Sequence, residues 1–375
     1  MNRLLQPLVL TVTAFLAAGY AYVAARLASG PWAYVALAVP FVLVWVLPVL
    51  YWTGERDSDE SRFDQVLHQA SYLSMAWVSF ILAFTLARDI ALFVTSALPF
   101  AAAHTLVREA GIPAVLIGSL LTLGLGALTA LRGPRVRQVE VPVPGLHPDL
   151  DGLRILQISD LHVGPNIRRA YVERVVARGR RLAPDLVAFT GDMVDGPVER
   201  LGPDIAPLAR LAENGNAFFV LGNHDCYSGA HAWNAYFRGI GVSVLLNEHT
   251  VVRKGAATLL VGGVVDPAYR ERRPEISLGG APEADFRILL AHNPKLAPLG
   301  AHAGFDLQLS GHTHAGQFFP WTLAVRLVHA PHVAGLSREG KMWVYVSAGT
   351  GTWGPPVRLG TSPEITLVRL VRTPG

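Results

Sequence analysis

Asp160-Leu161-His162, Gly191-Asp192-Met193-Val194-Asp195, Gly222-Asn223-His224-Asp225, Ala291-His292-Asn293, Gly311-His312-Thr313-His314 and Ser347-Ala348-Gly349-Thr350-Gly351 concentrate Asp, His and Asn in short stretches. Their side chains offer carboxylate oxygen, amide oxygen and imidazole nitrogen, a donor set for hard-to-borderline metal ions. Thiolate chemistry has no place here: Cys226 is the only cysteine, so a structural zinc site built on a Cys pair lacks its ligands and no internal disulfide can form. The donors suffice for two adjacent cations. Two cations held ~3.5–4 Å apart acidify a water and neutralise phosphate oxygens, which equips such a site for attack on phosphorus.

Nearly every motif follows a run of β-type apolar residues: Leu153 to Ile158, Leu186 to Phe189, Phe218 to Leu221, Ile288 to Leu290 and Leu307 to Leu309. That pattern predicts strands whose ends carry the polar loops, as α/β scaffolds arrange their sites. Asp160 and His162 stand at i and i+2, a spacing that points both the same way at a strand end, so one ion can take both. Asp192 has two carboxylate oxygens and can bridge two ions. Asn223 is a neutral oxygen donor. His312 and His314, separated by one residue, can face one site and reach different metals. Arg168 to Leu182 reads as a helix, and Arg132 to Asp151, with four prolines and alternating valines, as an extended linker.

These motifs, in this order, resemble the calcineurin-like metallophosphoesterases, specifically the membrane-associated branch whose first motif reads Ile-Ser-Asp-Leu-His, here Ile158 to His162. The resemblance runs from Gly152 to the C-terminus. It implies a first metal held by Asp160, His162 and His314, a second by Asn223, His292 and His312, and Asp192 bridging them. It implies further that His224 protonates the leaving oxygen and that Asp195 orients it. General acids of this kind contribute roughly 10²–10⁴-fold. The mixed O and N donors favour Mn²⁺, with Fe or Zn²⁺ next, over Mg²⁺.

Other residues invite plainer readings. His231, His249, His302, His329 and His332 have no motif around them and read as satisfied or exposed histidines. Asp225 reads as a loop support and Cys226 as a small buried residue. Asn166 and Arg358 are candidates for touching substrate phosphate, with loop or solvent roles as the alternative. Gly349-Thr350-Gly351 suits a close backbone approach near the site, and Trp353 with Pro355-Pro356 suits either an apolar wall or packing.

The first third has a different composition. The chain of 375 residues is 51% hydrophobic, with a mean hydropathy of +0.34, and the excess lies before Arg132. Leu4 to Leu27 and Trp32 to Trp52 match the ~20 apolar residues that cross a bilayer, with Tyr20, Tyr22, Trp32, Tyr34, Tyr51 and Trp52 near their ends as interfacial aromatics. A signal peptide is disfavoured because the first apolar core is long and a second follows at once. After the polar loop Gly54 to Gln65, Ala70 to Ala103 predicts one span to Phe93 and then a re-entrant or interfacial remainder. Arg88-Asp89 reads there as a neutralised pair near the interface. Ile112 to Leu131 is the fourth span, with Gly118, Ser119, Gly124 and Gly126 for close packing. With four crossings, Arg3, Arg56, Arg62, Arg132, Arg135 and Arg137 share one side, against Arg26 and Arg108 on the other. The positive-inside rule then puts both termini and the second domain in the cytoplasm of a bacterial-type cell membrane. A net charge of +4 with no aromatic-interleaved basic run excludes a nucleic-acid binder, and no obligate protein partner is implied.

The expectation is therefore an all-α transmembrane bundle (1–131), a linker (132–151), and an α/β metallophosphoesterase domain of two facing sheets flanked by helices (152–375). Its work would be hydrolysis of a phosphoester or pyrophosphate. A membrane anchor favours a lipid-linked substrate, and within the family branch the resemblance implies one such as UDP-2,3-diacylglucosamine. The alternatives are a tethered enzyme for a soluble substrate, or a membrane receptor with a vestigial phosphoesterase domain.

Overall fold

The computed structural model describes residues 5–52, 61–99, 101–269 and 273–374. The chain divides into a helical unit, 1–131 with 354–359, and an α/β unit, 132–353 with 360–375.

In the helical unit, α1 (Pro7–Leu27), α2 (Pro31–Val46, running on as a π-helical turn over Leu47–Trp52), α3 (Arg62–Ala97) and α4 (Ala101–Leu131) are each long and apolar enough to cross a membrane. They pack through Val23, Leu27, Phe41, Val44, Val78, Ile81 and Val115, and Trp77 Nε1 donates to Ser119 Oγ between α3 and α4 at 3.0 Å. α3 stays helical through Arg88-Asp89 to Ala97, so the expected span 70–93 is part of one 36-residue helix. The reason is local charge compensation. Asp89 pairs with Arg88 at 3.4 Å and with Arg26 of α1 at 2.9 Å, and Tyr22 OH donates to it at 3.0 Å. The fourth helix likewise begins earlier than the expected 112, at Ala101. Arg3 and Arg56, used in the orientation argument, lie outside the described residues, as do most of the polar loop from Gly54 and the side chains of Tyr51 and Trp52.

The α/β unit holds two six-stranded sheets face to face. The first runs β1 (Arg135–Pro144), β12 (Glu364–Thr373), β2 (Arg154–Ile158), β3 (Leu186–Phe189), β4 (Ala217–Phe219), β5 (Ser243–Val244). The second runs β10 (Gly335–Glu339), β11 (Met342–Val346), β9 (Leu307–Ser310), β8 (Phe286–Leu290), β7 (Ala257–Gly263), β6 (Glu248–Lys254). The centre of each is parallel, β2 to β5 in one and β7, β8, β9 and β11 in the other. Their strands are apolar on both faces, as doubly covered parallel sheets require. Ile155, Ala188, Phe218, Val261, Ile288 and Leu309 meet between the sheets. Leu156, Ile158, Val187 and Phe189 face outward onto α5 (Arg169–Arg181), α6 (Val198–Ile205) and α8 (Ala230–Gly239). Leu289 and Val344 face outward with Leu296 and with Ala297 of α9 (Ala297–His302). A one-turn helix, α7 (Asn223–Tyr227), and α10 (Trp321–His329) complete the unit.

The stretch expected to be a linker is not one. Arg135–Pro144 is a full edge strand, parallel to β12 from Arg135↔Glu364 to Pro144↔Thr373. Its prolines, Pro142 and Pro144, fit an edge, where a missing ladder donor is tolerated. Parallel order in the two sheet centres brings the C-terminal ends of β2, β3, β4, β8, β9 and β11 to the loops that carry the motifs.

Candidate metal centre

The motif loops are tied to one another by backbone bonds. Asp160 N–H donates to Gly191 O at 2.9 Å, His162 N–H to Asp192 O at 3.1 Å, Gly311 N–H to His292 O at 3.0 Å, and Thr350 N–H to Ser159 O at 2.7 Å. Beneath them Gln157 Nε2 joins the two sheets, donating to Thr190 Oγ1 and Ser310 O, each at 2.8 Å. The approach is tight enough that a Cβ at Gly311 would overlap Ser159 Oγ and Asp160 Oδ2. Gly351 sits as closely against Leu161 O, the near approach expected of the last motif.

Five of the clustered residues have left-handed backbone: Asp160 (φ 52°), His162 (φ 50°), Asp192 (φ 53°), His312 (φ 72°) and His314 (φ 50°). None is glycine, and each such placement costs about 1–3 kcal/mol. The strain buys convergence of side chains that a plain strand end would splay apart.

Two donor groups share one carboxylate. In the first, His162 Nε2 and His314 Nε2 face each other at 3.0 Å, and His314 Nε2 is 3.5 Å from Asp160 Oδ1. In the second, His312 Nδ1 lies 3.0 Å from Asn223 Oδ1 and 3.3 Å from His292 Nε2. Asp192 Oδ2 stands between them, 3.8 Å from His162 Nε2 and 3.1 Å from His292 Nε2. Asp160, His162, Asp192, His292 and His314 are buried, while Asn223 and His312 are half-buried.

The atoms around the cluster fix which nitrogen is offered. His292 Nδ1 donates to Thr190 O at 2.8 Å and His162 Nδ1 pairs with Asp195 Oδ1 at 3.0 Å, leaving Nε2 of each for a cation. Asp160 Oδ1 accepts from His312 N–H at 2.8 Å, and Asp192 Oδ1 from His224 N–H at 2.8 Å. Asp160 Oδ2, fully buried, has no hydrogen-bond partner among the described residues. A buried carboxylate oxygen without a donor is costly unless a cation meets it, so the donor set fits a metal pair.

Electrostatics agree. Burial works against charge on His162 and His292, yet Asp195 and Asp192, respectively, hold them at about 9 and about 10. Burial also opposes ionisation of Asp192, but His292 keeps its carboxyl far below the usual range. Burial raises Asp160, and burial with the neighbouring His292 drives His312 down to about 3. Carboxylates thus favour positive charge at His162 in the first group and at His292 in the second, but not at His312.

Residues 153–316 match the calcineurin-like phosphoesterase family. An uncharacterized metallophosphoesterase of Aquifex aeolicus is 33% identical over 225 residues, which cover 58% of this chain and 85% of that protein. The chain belongs to the calcineurin-like phosphoesterases. A Danio rerio protein named transmembrane protein with metallophosphoesterase domain is 35% identical over 271 residues, 68% of this chain and 62% of the relative. An uncharacterized metallophosphoesterase of Helicobacter pylori is 33% identical over 253 residues, 66% of each chain. The chain thus spans a little under two thirds of these last two relatives.

In this calcineurin-like phosphoesterase domain, His224 lies in the first turn of the short helix α7 and its Nδ1 is 2.8 Å from Asp195 Oδ1, the same oxygen that meets His162. His224 also falls within ligand distance of His162 and Asp192, but its Nδ1 is committed to Asp195. Its ring packs edge-on to Tyr227 and Trp353, so Trp353 does line the site. Asp225 accepts backbone N–H groups of Asp192, Met193, Val194 and Gly222 at 2.7 to 3.2 Å, the loop support expected of it. Burial pushes the Cys226 thiol up to about 12, which makes it inert.

Two expected substrate contacts fare differently. Asn166 is half-buried in the loop before α5. Arg358 is fully buried and groups with the helices, its backbone N–H donating to Gly126 O at 3.0 Å. His332, read as a satisfied histidine, bonds Ser337 and Glu339. His329, read the same way, is not remote: its ring lies 5.3 Å from that of His312. The available signal was its place at the end of the amphipathic stretch Trp321–His329.

Proposed function

We propose that this chain hydrolyses a phosphoester or phosphoanhydride bond at a binuclear metal centre. Asp160, His162 and His314 would hold one cation and Asn223, His292 and His312 the other, with the Asp192 carboxylate available to both. The observation that carries this is the shared Asp192 carboxylate between two donor groups, with the Asp160 oxygen that no hydrogen bond meets. When bound, the cation pair neutralises phosphate oxygens and makes a water nucleophilic near neutral pH, and Mn²⁺ suits the donors best, with Fe or Zn²⁺ next.

The rest falls to the side chains. His224, with Nδ1 held by Asp195, carries its transferable proton on Nε2 and delivers it to the leaving oxygen as the P–O bond breaks. Asp195 orients that imidazole, and through its second bond fixes the ring of His162. Burial of the donors excludes bulk water and strengthens every charge interaction in the site.

Helices α1 to α4 span a bilayer and anchor the domain to it, with the domain on the cytoplasmic side. The substrate class is an amphiphilic or lipid-linked phosphate or pyrophosphate, UDP-2,3-diacylglucosamine among them. Support comes from the helices' length and hydropathy and from relatives named as transmembrane proteins. The test is turnover by the full-length chain with Mn²⁺ on that lipid nucleotide and on bis(4-nitrophenyl) phosphate. Turnover of the simple diester alone removes the lipid-linked substrate, and turnover of neither removes the phosphoesterase reading.

A further inference from the structure

α10 has no buried residue. At roughly 100° per residue, Trp321, Leu323, Leu327 and Val328 share one arc of the helix, while Thr322, Arg326 and His329 share the opposite one. The helix is inside out for a domain in water. Its polar arc carries His329 toward His312, and its apolar arc faces outward, with Leu327 89%, Val328 58%, Leu323 54% and Trp321 49% exposed. Phe319, just before it, adds to the patch. A surface helix ordinarily turns its apolar stripe to the core, and a contiguous outward patch marks an interaction surface.

Several observations name the occupant as lipid. The apolar arc is bordered by exposed Arg326 and carries Trp321 at its end, the make-up of a helix lying at the headgroup–acyl boundary, where the cation meets anionic headgroups. The chain itself is tethered to membrane-length helices: only three residues separate Leu131 of α4 from Arg135 of β1, a reach of at most roughly 14 Å. The base of α10 is fixed rather than loose. The Gln317 side chain both donates to Trp353 O and accepts from Trp353 N–H, at 2.9 Å each. At Gly316 (φ 78°) an added Cβ would crowd the backbone of Thr322, so the turn bearing His314 packs closely against the start of α10.

We infer that α10, with Phe319, lies in the interfacial layer of the bilayer and forms the edge over which the apolar part of an amphiphilic substrate enters the metal centre. This rests on the reading that α1 to α4 cross that bilayer, and it deepens the substrate class assigned to the same site. His329 and Arg326 then border the entry on its polar side, and the four apolar side chains replace water with acyl chains along the other.

The test uses the full-length chain with Cys226→Ala and a single bimane-labelled cysteine at Leu327, Phe93 or Glu213, in nanodiscs of phosphatidylcholine and phosphatidylglycerol. Phe93 lies exposed on α3, and Glu213 is exposed on the α/β unit. Brominated lipid is expected to quench the labels at Leu327 and Phe93, and aqueous iodide to quench Leu327 several-fold less than Glu213. Iodide quenching at Leu327 equal to that at Glu213 overturns the inference while Phe93 still reports lipid. Shielding of Leu327 from both quenchers means protein covers α10, which also overturns it. A Phe93 label untouched by brominated lipid removes the bilayer reading and this inference together.

Discussion

His224 Nδ1 stands 2.8 Å from Asp195 Oδ1, and that one oxygen also meets His162 Nδ1 at 3.0 Å. The proposed proton donor and a proposed metal ligand are therefore held by the same carboxylate. Asp195→Asn is expected to lower kcat by about 10²-fold, and His224→Gln by about 10²–10⁴-fold. The double variant should fall no further than the worse single one, because the pair acts as a unit. Steady-state kinetics on a simple phosphodiester checks this, and fully additive losses would separate the two roles.

Asp225 accepts four backbone N–H groups from the loops that present Asp192 and Asn223. Asp225→Ala leaves buried donors unmet, at about 1–3 kcal/mol each before water relieves some of them. The variant should lose at least ~2 kcal/mol in denaturant unfolding and bind metal more weakly. An unchanged midpoint would show that those donors find other partners.

The metal-free centre should be sensitive to pH in a defined direction. Burial opposes the charge on His162 and His292, but facing carboxylates raise them to about 9 and about 10, above the ordinary ~6.5. Stability from their protonation is fully present below about pH 6.5 and lost as pH rises through 9 to 10. The same protons must leave when a cation binds, so Mn²⁺ affinity should climb between pH 7 and 9 with proton release. Calorimetry in buffers of differing ionisation enthalpy counts those protons, and a buffer-independent heat at pH 7 would contradict the assignment.

How much of this was legible in the sequence depended on how local the cause was. Asp160, Asp192, Asn223, His292 and His312 each follow a short apolar strand, so one stretch of sequence holds both the strand and its donor. β1 was illegible because its partner, β12, lies at the other end of the chain, and its prolines imitate a linker. The continuity of α3 was hidden because Asp89 draws its compensation from Arg26 and Tyr22 on another helix. Arg358 read as a candidate substrate contact, or a loop or solvent residue, and nothing in its own neighbourhood announces its full burial. His329, read as a satisfied or exposed histidine, has no motif around it to announce that its ring approaches His312.

The central claim is that Asp192 joins two cation sites, and metal stoichiometry tests it most directly. Elemental analysis of active, full-length protein is expected to find two equivalents of divalent transition metal per chain. Asp192→Asn should lose metal and hydrolysis together. Active protein without stoichiometric metal, or turnover untouched by a strong chelator, would contradict the account.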